Sequence, residues 1–245
     1  MNRIVAACAR VGAVAALPLG GTLVLASPAG ATSTPPMVGH SYSLLTTGGQ
    51  LMGVGAALTA TSPTAPAAPF VGVAATPDGK GAWGVESNGA VVAFGDARNF
   101  GSMAGTPLSA SVVGIAATPT GGGYWEVASD GGIFTFGDAA FLGSMGSHHL
   151  NEPVVGIAAT PTGGGYWEVA SDGGIFTFGN AAFLGSMGSQ RLNEPIIAIS
   201  VTATGGGYWE MASDGGIFTF GDAPFYGSGV ATRATFAGIA VEVGG

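Results

Sequence analysis

Residues Gly121–Gly137 read GGGYWEVASDGGIFTFG, and the same seventeen residues recur at Gly163 and, with Met211 in place of valine, at Gly205. The spacing is a constant 42 residues. A looser copy, GKGAWGVESNGAVVAFG, begins one period earlier at Gly79, and a faint one, YSLLTTGGQLMGVGA, begins at Tyr42. The units Val112–Pro153 and Val154–Pro195 differ only at Asp138/Asn180, His148/Gln190 and His149/Arg191. A period of about 40–45 residues with several short strands per unit predicts a propeller or related β-array. Nearly identical units also present nearly identical chemistry, which is a poor basis for one asymmetric catalytic constellation.

Each unit contains four short extended stretches. In the third these are Val112–Thr118, Tyr124–Ser129, Ile133–Phe136 and Phe141–Ser144. Tyr124–Ser129 alternates, with Trp125 and Val127 on one face and Tyr124 and Glu126 on the other. Helices are not expected, because glycine recurs too often and no 3.6-residue apolar period runs through the chain. Ser129-Asp130-Gly131-Gly132 has the chemistry of a tight hairpin turn. Only Met145–Pro153 is a long connection. It suits the return from an outermost to an innermost strand, about 14 Å at a strand spacing of about 4.8 Å. VVGIAAT is therefore expected innermost and FLGS outermost.

The two ends of the chain complement each other. The first unit lacks a VVGIAAT equivalent before Tyr42, and Phe236–Val241 supplies one with no Tyr-Trp stretch after it. These features predict an all-β fold, a closed five-bladed β-propeller of four-stranded antiparallel blades. Its first blade is completed by the C-terminal strand, which leaves no unpaired inner edge.

Residues 1–31 read as a secretory signal peptide. Arg3 and Arg10 precede an apolar run from Val11 to Ala26, and Ala29-Gly30-Ala31 satisfies the small-residue cleavage rule. The run is shorter than a spanning helix and is broken by Pro18. Residues 32–245 are then one exported domain, with no membrane insertion. The single cysteine, Cys8, leaves with the signal, so stability must come from core burial. Four basic side chains then face fourteen acidic ones. That balance argues against nucleic acid and anionic membrane surfaces, both of which select cationic patches.

Several repeated residues carry candidate chemistry. Trp83, Trp125, Trp167 and Trp209 recur in register, either as exposed platforms for sugar rings or as buried wedges between blades. Glu126, Glu168 and Glu210 either line a channel or accept hydrogen bonds from a neighbouring blade. Asp130, Asp172 and Asp214 sit in the hairpin turns. One carboxylate per turn falls short of the six or more oxygens calcium takes, so neither a metal nor a cofactor is expected. Strand alternation places these turns on the same rim as the long connections. Asp130, Asp172 and Asp214 thereby join Asn151, Glu152, Asn193 and Glu194 as the expected ligand-binding set, beside the variable pairs His148-His149 and Gln190-Arg191. No Gly-x-Ser-x-Gly, Walker-type or dinucleotide fingerprint is present.

YWEVASDGGIFTFGDAAFLGS, followed by LNEPVVGIAATPTGGG, resembles a repeat of secreted actinobacterial proteins that occurs alone or beside cell-wall hydrolase and peptidase domains. The resemblance covers residues from about 70 to 228 and implies export, with cell-wall association, but no activity. At the level of fold the five units are similar to tachylectin-like five-bladed lectins. The function expected is a secreted, non-catalytic module that recognises cell-envelope or extracellular glycan through repeated weak sites. The alternatives are a scaffold for another exported protein and a propeller glycosidase. The last needs two carboxylates in different environments, which symmetry-equivalent positions do not supply.

Overall fold

The structure is a computed structural model that describes residues 23–26, 42–54 and 59–230. Among these residues no helix is formed, and the strands make five small antiparallel sheets. The first sheet contains β1 (Leu23–Ala26), β2 (Tyr42–Thr46), β3 (Gln50–Val54) and β4 (Ala60–Thr61). The second contains β5 (Phe70–Ala75), β6 (Gly81–Glu86) and β7 (Val91–Gly95). Next come β8 (Val112–Ala117), β9 (Gly123–Ala128) and β10 (Ile133–Gly137), then β11 (Val154–Ala159), β12 (Gly165–Ala170) and β13 (Ile175–Gly179). The last sheet holds β14 (Ile196–Val201), β15 (Gly207–Ala212) and β16 (Ile217–Gly221).

Strand order follows chain order in every sheet, as short hairpin turns require. Gly123 pairs with Gly137 and Val127 with Ile133, and the register is identical one and two periods later. The VVGIAA strands lie at one edge of their sheets. They pack on each other in the succession β1, β5, β8, β11, β14. Here small residues matter: a Cβ on Gly72 would stand 3.2 Å from the Gly114 Cα. The expected innermost position of this strand agrees with that packing.

The fourth stretch departs from expectation. Phe141–Ser144 is not a strand, so the second to fifth sheets have three strands each. The segment is a strap that crosses to the next sheet. Tyr166 reaches back from β12, its hydroxyl donating to the Gly143 carbonyl at 2.6 Å and accepting the Leu142 N–H at 3.1 Å. Leu142 packs with Tyr166 and Phe178 of the next unit. Gly143, at φ 129°, lies where a Cβ would meet the Phe178 ring at 2.5 Å. These side-chain bonds and the apolar contact outcompete a fourth ladder. Tyr124 and Tyr208 make the same clamp one period earlier and later.

The hydrophobic core is correspondingly divided among the sheet-to-sheet interfaces. One cluster joins Trp125 and Val127 of one sheet to Val154 and Tyr166 of the next. Trp125 and Tyr166 ring centroids lie 5.6 Å apart, and Trp167 and Tyr208 repeat the pair at 5.8 Å. Burying one such tryptophan is worth about 4–6 kcal/mol of transfer free energy.

The strand expected to complete the first sheet, Phe236–Val241, lies outside the described residues. The edge of β2 is taken by Leu23–Ala26, with Val24 opposite Leu45 and Ala26 opposite Ser43. These four residues belong to the segment read as the signal peptide and were not expected in the fold. An extended apolar run satisfies an otherwise unpaired inner edge, which is reason enough for the pairing.

Candidate functional site

The hairpin turns and the long connections do share one rim. Asp130 occupies the turn between β9 and β10, where its Oδ1 accepts the Gly132 N–H at 2.9 Å. Asp172 and Asp214 repeat this bond at 2.8 and 2.9 Å. The chain then returns past the turn: Met145 N–H donates to the Gly131 carbonyl, and Val154 N–H to the Ser129 carbonyl. Between these two anchors the connection bows outward, and a groove of about 260 Å³ opens against the turn. Ser129, Asp130, His148, His149, Asn151 and Glu152 line it, together with Leu150 and Pro153.

Of the expected binding residues, Asp130, Asn151 and Glu152 are thus brought together, and the two histidines stand with them. His148, His149, Asn151 and Glu152 are exposed, and Asp130 partly so. Glu152 also accepts the Ser171 hydroxyl at 3.3 Å, so it bridges to the next unit's turn. Glu194 repeats that bridge to Ser213 at 3.3 Å, and Asn193 and Glu194 are likewise exposed. Asp214 belongs to the last turn, and most of the connection that would complete its groove lies outside the described residues. Among the described residues no three His, Cys, Asp or Glu side chains are grouped as a metal would need.

The tryptophans are wedges. Trp83, Trp125 and Trp167 are fully buried and Trp209 nearly so. Each indole N–H donates to the carbonyl at the start of its own strap, Arg98, Ala140, Ala182 and Pro224, at 2.7–2.9 Å. None presents a face to a ligand.

Glu126, Glu168 and Glu210 meet neither expectation. They are 0% exposed, so they line no open channel. Among the described residues no hydrogen-bond partner meets either carboxyl oxygen of Glu126 or Glu168, while the Met187 backbone stands against Glu210 and partly offsets its burial. Each lies between two sheets, beneath the hairpin turn of the preceding unit. A Cβ on Gly131 would stand 2.9 Å from Glu168 Oε2, and Gly89 and Gly173 relate similarly to Glu126 and Glu210. Burial pushes all three carboxyl groups up to about 8, with Asp130 adding to the effect on Glu168 and Asp172 to that on Glu210. At neutral pH they are protonated.

On the opposite rim Asp138 is a clasp. It accepts the Thr118 hydroxyl at 2.8 Å and also that of Thr120, tying the first hairpin turn to the end of β10. Asn180 serves the fourth unit by donating its amide to Thr162 and accepting from Thr160.

Sequence reasoning passed over Phe141, Phe183 and Phe225, which an outermost strand would have half covered. In the strap each is 61% exposed. The available signal was the neighbouring residue: Leu142 and Leu184 alternate with Phe141 and Phe183, and only one of two adjacent side chains in an extended segment can face inward. Phe225 and its neighbour Tyr226, by contrast, are both exposed.

No protein-family model and no curated protein sequence matches this chain. Among solved structures it is similar to the β-propeller domain of Myceliophteria thermophila Cps50 (Swd1), at 12% identity and a TM-score of 0.50. The match covers 74% of this chain and 62% of that one. This likeness, with the repeated sheets, shows an all-β propeller.

Proposed function

We propose that this protein is a secreted, non-catalytic propeller of five blades that binds cell-envelope or extracellular glycan along the rim of hairpin turns. The observation that carries the reading is the groove where Asp130, Asn151 and Glu152 meet His148 and His149. Carboxylate, carboxamide and imidazole groups around a concave, partly open surface match the hydroxyls of a sugar. Equivalent turns and connections in successive blades multiply weak contacts on a repeating polymer. The sealed positions of Glu126, Glu168 and Glu210 support a non-catalytic role, since a buried acid reaches no glycosidic bond. Export after Ala31 and closure of the first blade by Phe236–Val241 complete the proposal. In that strand Gly238 falls in line with Gly72, Gly114 and Gly156.

The test is a pull-down on cell-wall preparations and a glycan array, run beside a hydrolysis assay. Changing Asn151, Glu152, Asn193 and Glu194 together to alanine should abolish binding. Stability should move by only about 1 kcal/mol, because the side chains are exposed. Unchanged binding by the folded variant refutes the rim as the site.

A second reading is a scaffold for another exported protein. It is favoured by the connections themselves, where two of the three differences between the near-identical units replace His148-His149 with Gln190-Arg191. Specific protein recovered with the purified chain, and no glycan, would select it.

A further inference from the structure

Phe141, Phe183 and Phe225 stand at the same place in three successive repeats, each with the same 61% exposure. Their orientation is imposed by the fold. On one side the Ala140 carbonyl holds the Trp125 indole N–H at 2.8 Å. On the other, the Leu142 N–H is held by the Tyr166 hydroxyl, and the Leu142 side chain packs into the next sheet. Ala182 and Leu184 are pinned in the same way around Phe183. Buried partners fix the backbone before and after Phe141 and Phe183, so these rings have no inward place to go. At Phe225 the Trp209 indole holds the preceding Pro224 carbonyl, and the neighbouring Tyr226 is itself 53% exposed.

We propose that these three rings form a binding site separate from the rim groove, a row of platforms on which sugar rings of a neutral polysaccharide stack. The inference rests on the glycan reading above and assigns it a second set of contacts. Each strap begins where β10 and its equivalents end, at Gly137, Gly179 and Gly221, and so at the end of the sheet opposite the Asp130 turn.

The surroundings select the ligand. Large exposed hydrophobics among the described residues are these three, Tyr226 and Val230. Phe141 itself is flanked by Ala140 and, beyond Leu142, by Gly143 and Ser144. A protein interface centred on aromatic residues, or a bilayer, needs a continuous apolar area that isolated rings do not give. The C–H face of a pyranose covers one aromatic ring, its weakly positive hydrogens meeting the negative face of the π-system. Its hydroxyls remain free for water and small polar neighbours. A formal charge of −8 disfavours polyanionic chains. Three equivalent platforms suit a ligand that repeats. In the second repeat Asn99 takes the phenylalanine position and turns back onto β7, donating to the Val91 carbonyl at 3.1 Å, so no platform forms there.

The test is co-sedimentation of the purified protein with cellulose, chitin and insoluble β-1,3-glucan, with polygalacturonate as the anionic control. Binding to at least one neutral polymer is expected. Phe141→Ala, Phe183→Ala or Phe225→Ala alone should weaken it about 3–10-fold, and the triple variant more than about 100-fold, because avidity is lost with each platform. The triple Phe→Tyr variant should bind like wild type, and all should melt alike. Should the alanine triple precipitate, the Phe→Gln triple provides the same measurement. Retained binding by a folded triple variant overturns this inference. If the rim variant loses binding in that case, the glycan reading survives without it. A wild-type protein that sediments with no neutral polymer overturns the inference, and failure on the glycan array and cell-wall preparations as well removes the reading beneath it.

Discussion

Raising the pH from 5 to 9 places its load on Glu126, Glu168 and Glu210, which are sealed between sheets. In the unfolded chain a glutamate ionises near 4.5, whereas burial holds these three near 8. The folded state therefore binds more protons than the unfolded state across that interval. Its stability is greatest below 4.5 and falls as pH rises towards 8. Asp130 beside Glu168 and Asp172 beside Glu210 reinforce the trend, and the Met187 backbone beside Glu210 opposes it. The buried Tyr124, Tyr166 and Tyr208, held above their usual range, stay neutral throughout the interval. A displacement of 3.5 units corresponds to about 5 kcal/mol for one glutamate, at about 1.4 kcal/mol per unit.

Three such groups acting independently amount to about 14 kcal/mol, which matches the entire stability of an ordinary domain. The folded protein cannot carry all three ionised in place. With three protons at stake the slope approaches 4 kcal/mol per pH unit in the middle of the interval. Urea denaturation followed by tryptophan fluorescence between pH 5 and 9 should show the midpoint falling steeply. Melting by circular dichroism should fall with it, by about 10–20 °C for each glutamate. Glu168→Gln keeps the shape and stays neutral, so it should remove about a third of the slope. The triple glutamine variant should be nearly flat over the same range. A wild-type midpoint independent of pH from 5 to 8, or an unchanged slope in the triple variant, refutes the reasoning.

Tyr166→Phe removes both bonds that hold the Leu142–Gly143 strap and should cost about 1–3 kcal/mol in urea denaturation, while a cost near zero would deny the clamp its role. Asp138→Asn should be close to neutral, since Asn180 already serves the same clasp one repeat later. N-terminal sequencing of exported protein should begin at Thr32, and recovery of Met1 in the medium would refute cleavage after Ala31. In the chain that begins at Thr32, truncation after Thr235 should abolish cooperative melting instead of fraying one edge, because the proposed closure of the first blade by Phe236–Val241 is then lost; a normal melt would exclude that closure.

Much of the fold was legible because a 42-residue period repeats strand and turn chemistry in the same order. Alternation in Tyr124–Ser129 and the Asp-Gly-Gly turn identified the hairpin, and the one long connection identified the strand order. The strap was not legible. FLGS has the length and apolarity of a strand, and what removes it from the ladder is a tyrosine 24 residues away in the next repeat. The buried glutamates were misread for a related reason. Their place in an alternating strand shows which face they share, but not that the opposing turn offers glycine without a donor aimed at the carboxyl group. At the candidate site, chain direction alone brought Asp130, Asn151 and Glu152 to one rim, while the exposure of Phe141 depended on the strap.

The three differences between the near-identical repeats separate scaffold from recognition more sharply than their similarities do. Asp138 and Asn180 exchange a carboxylate for a carboxamide, yet both close on the same pair of threonines, so the change leaves the clasp intact. His148-His149 and Gln190-Arg191 close on nothing comparable and stand exposed beside the turn. One connection therefore carries two imidazoles, and the next carries a carboxamide and a planar guanidinium. On the proposed glycan reading, a polymer would meet the same aromatic contact at the three straps of Phe141, Phe183 and Phe225 and a changing polar one at the connections. On that reading the straps would set how strongly a polymer is held and the connections which polymer it is.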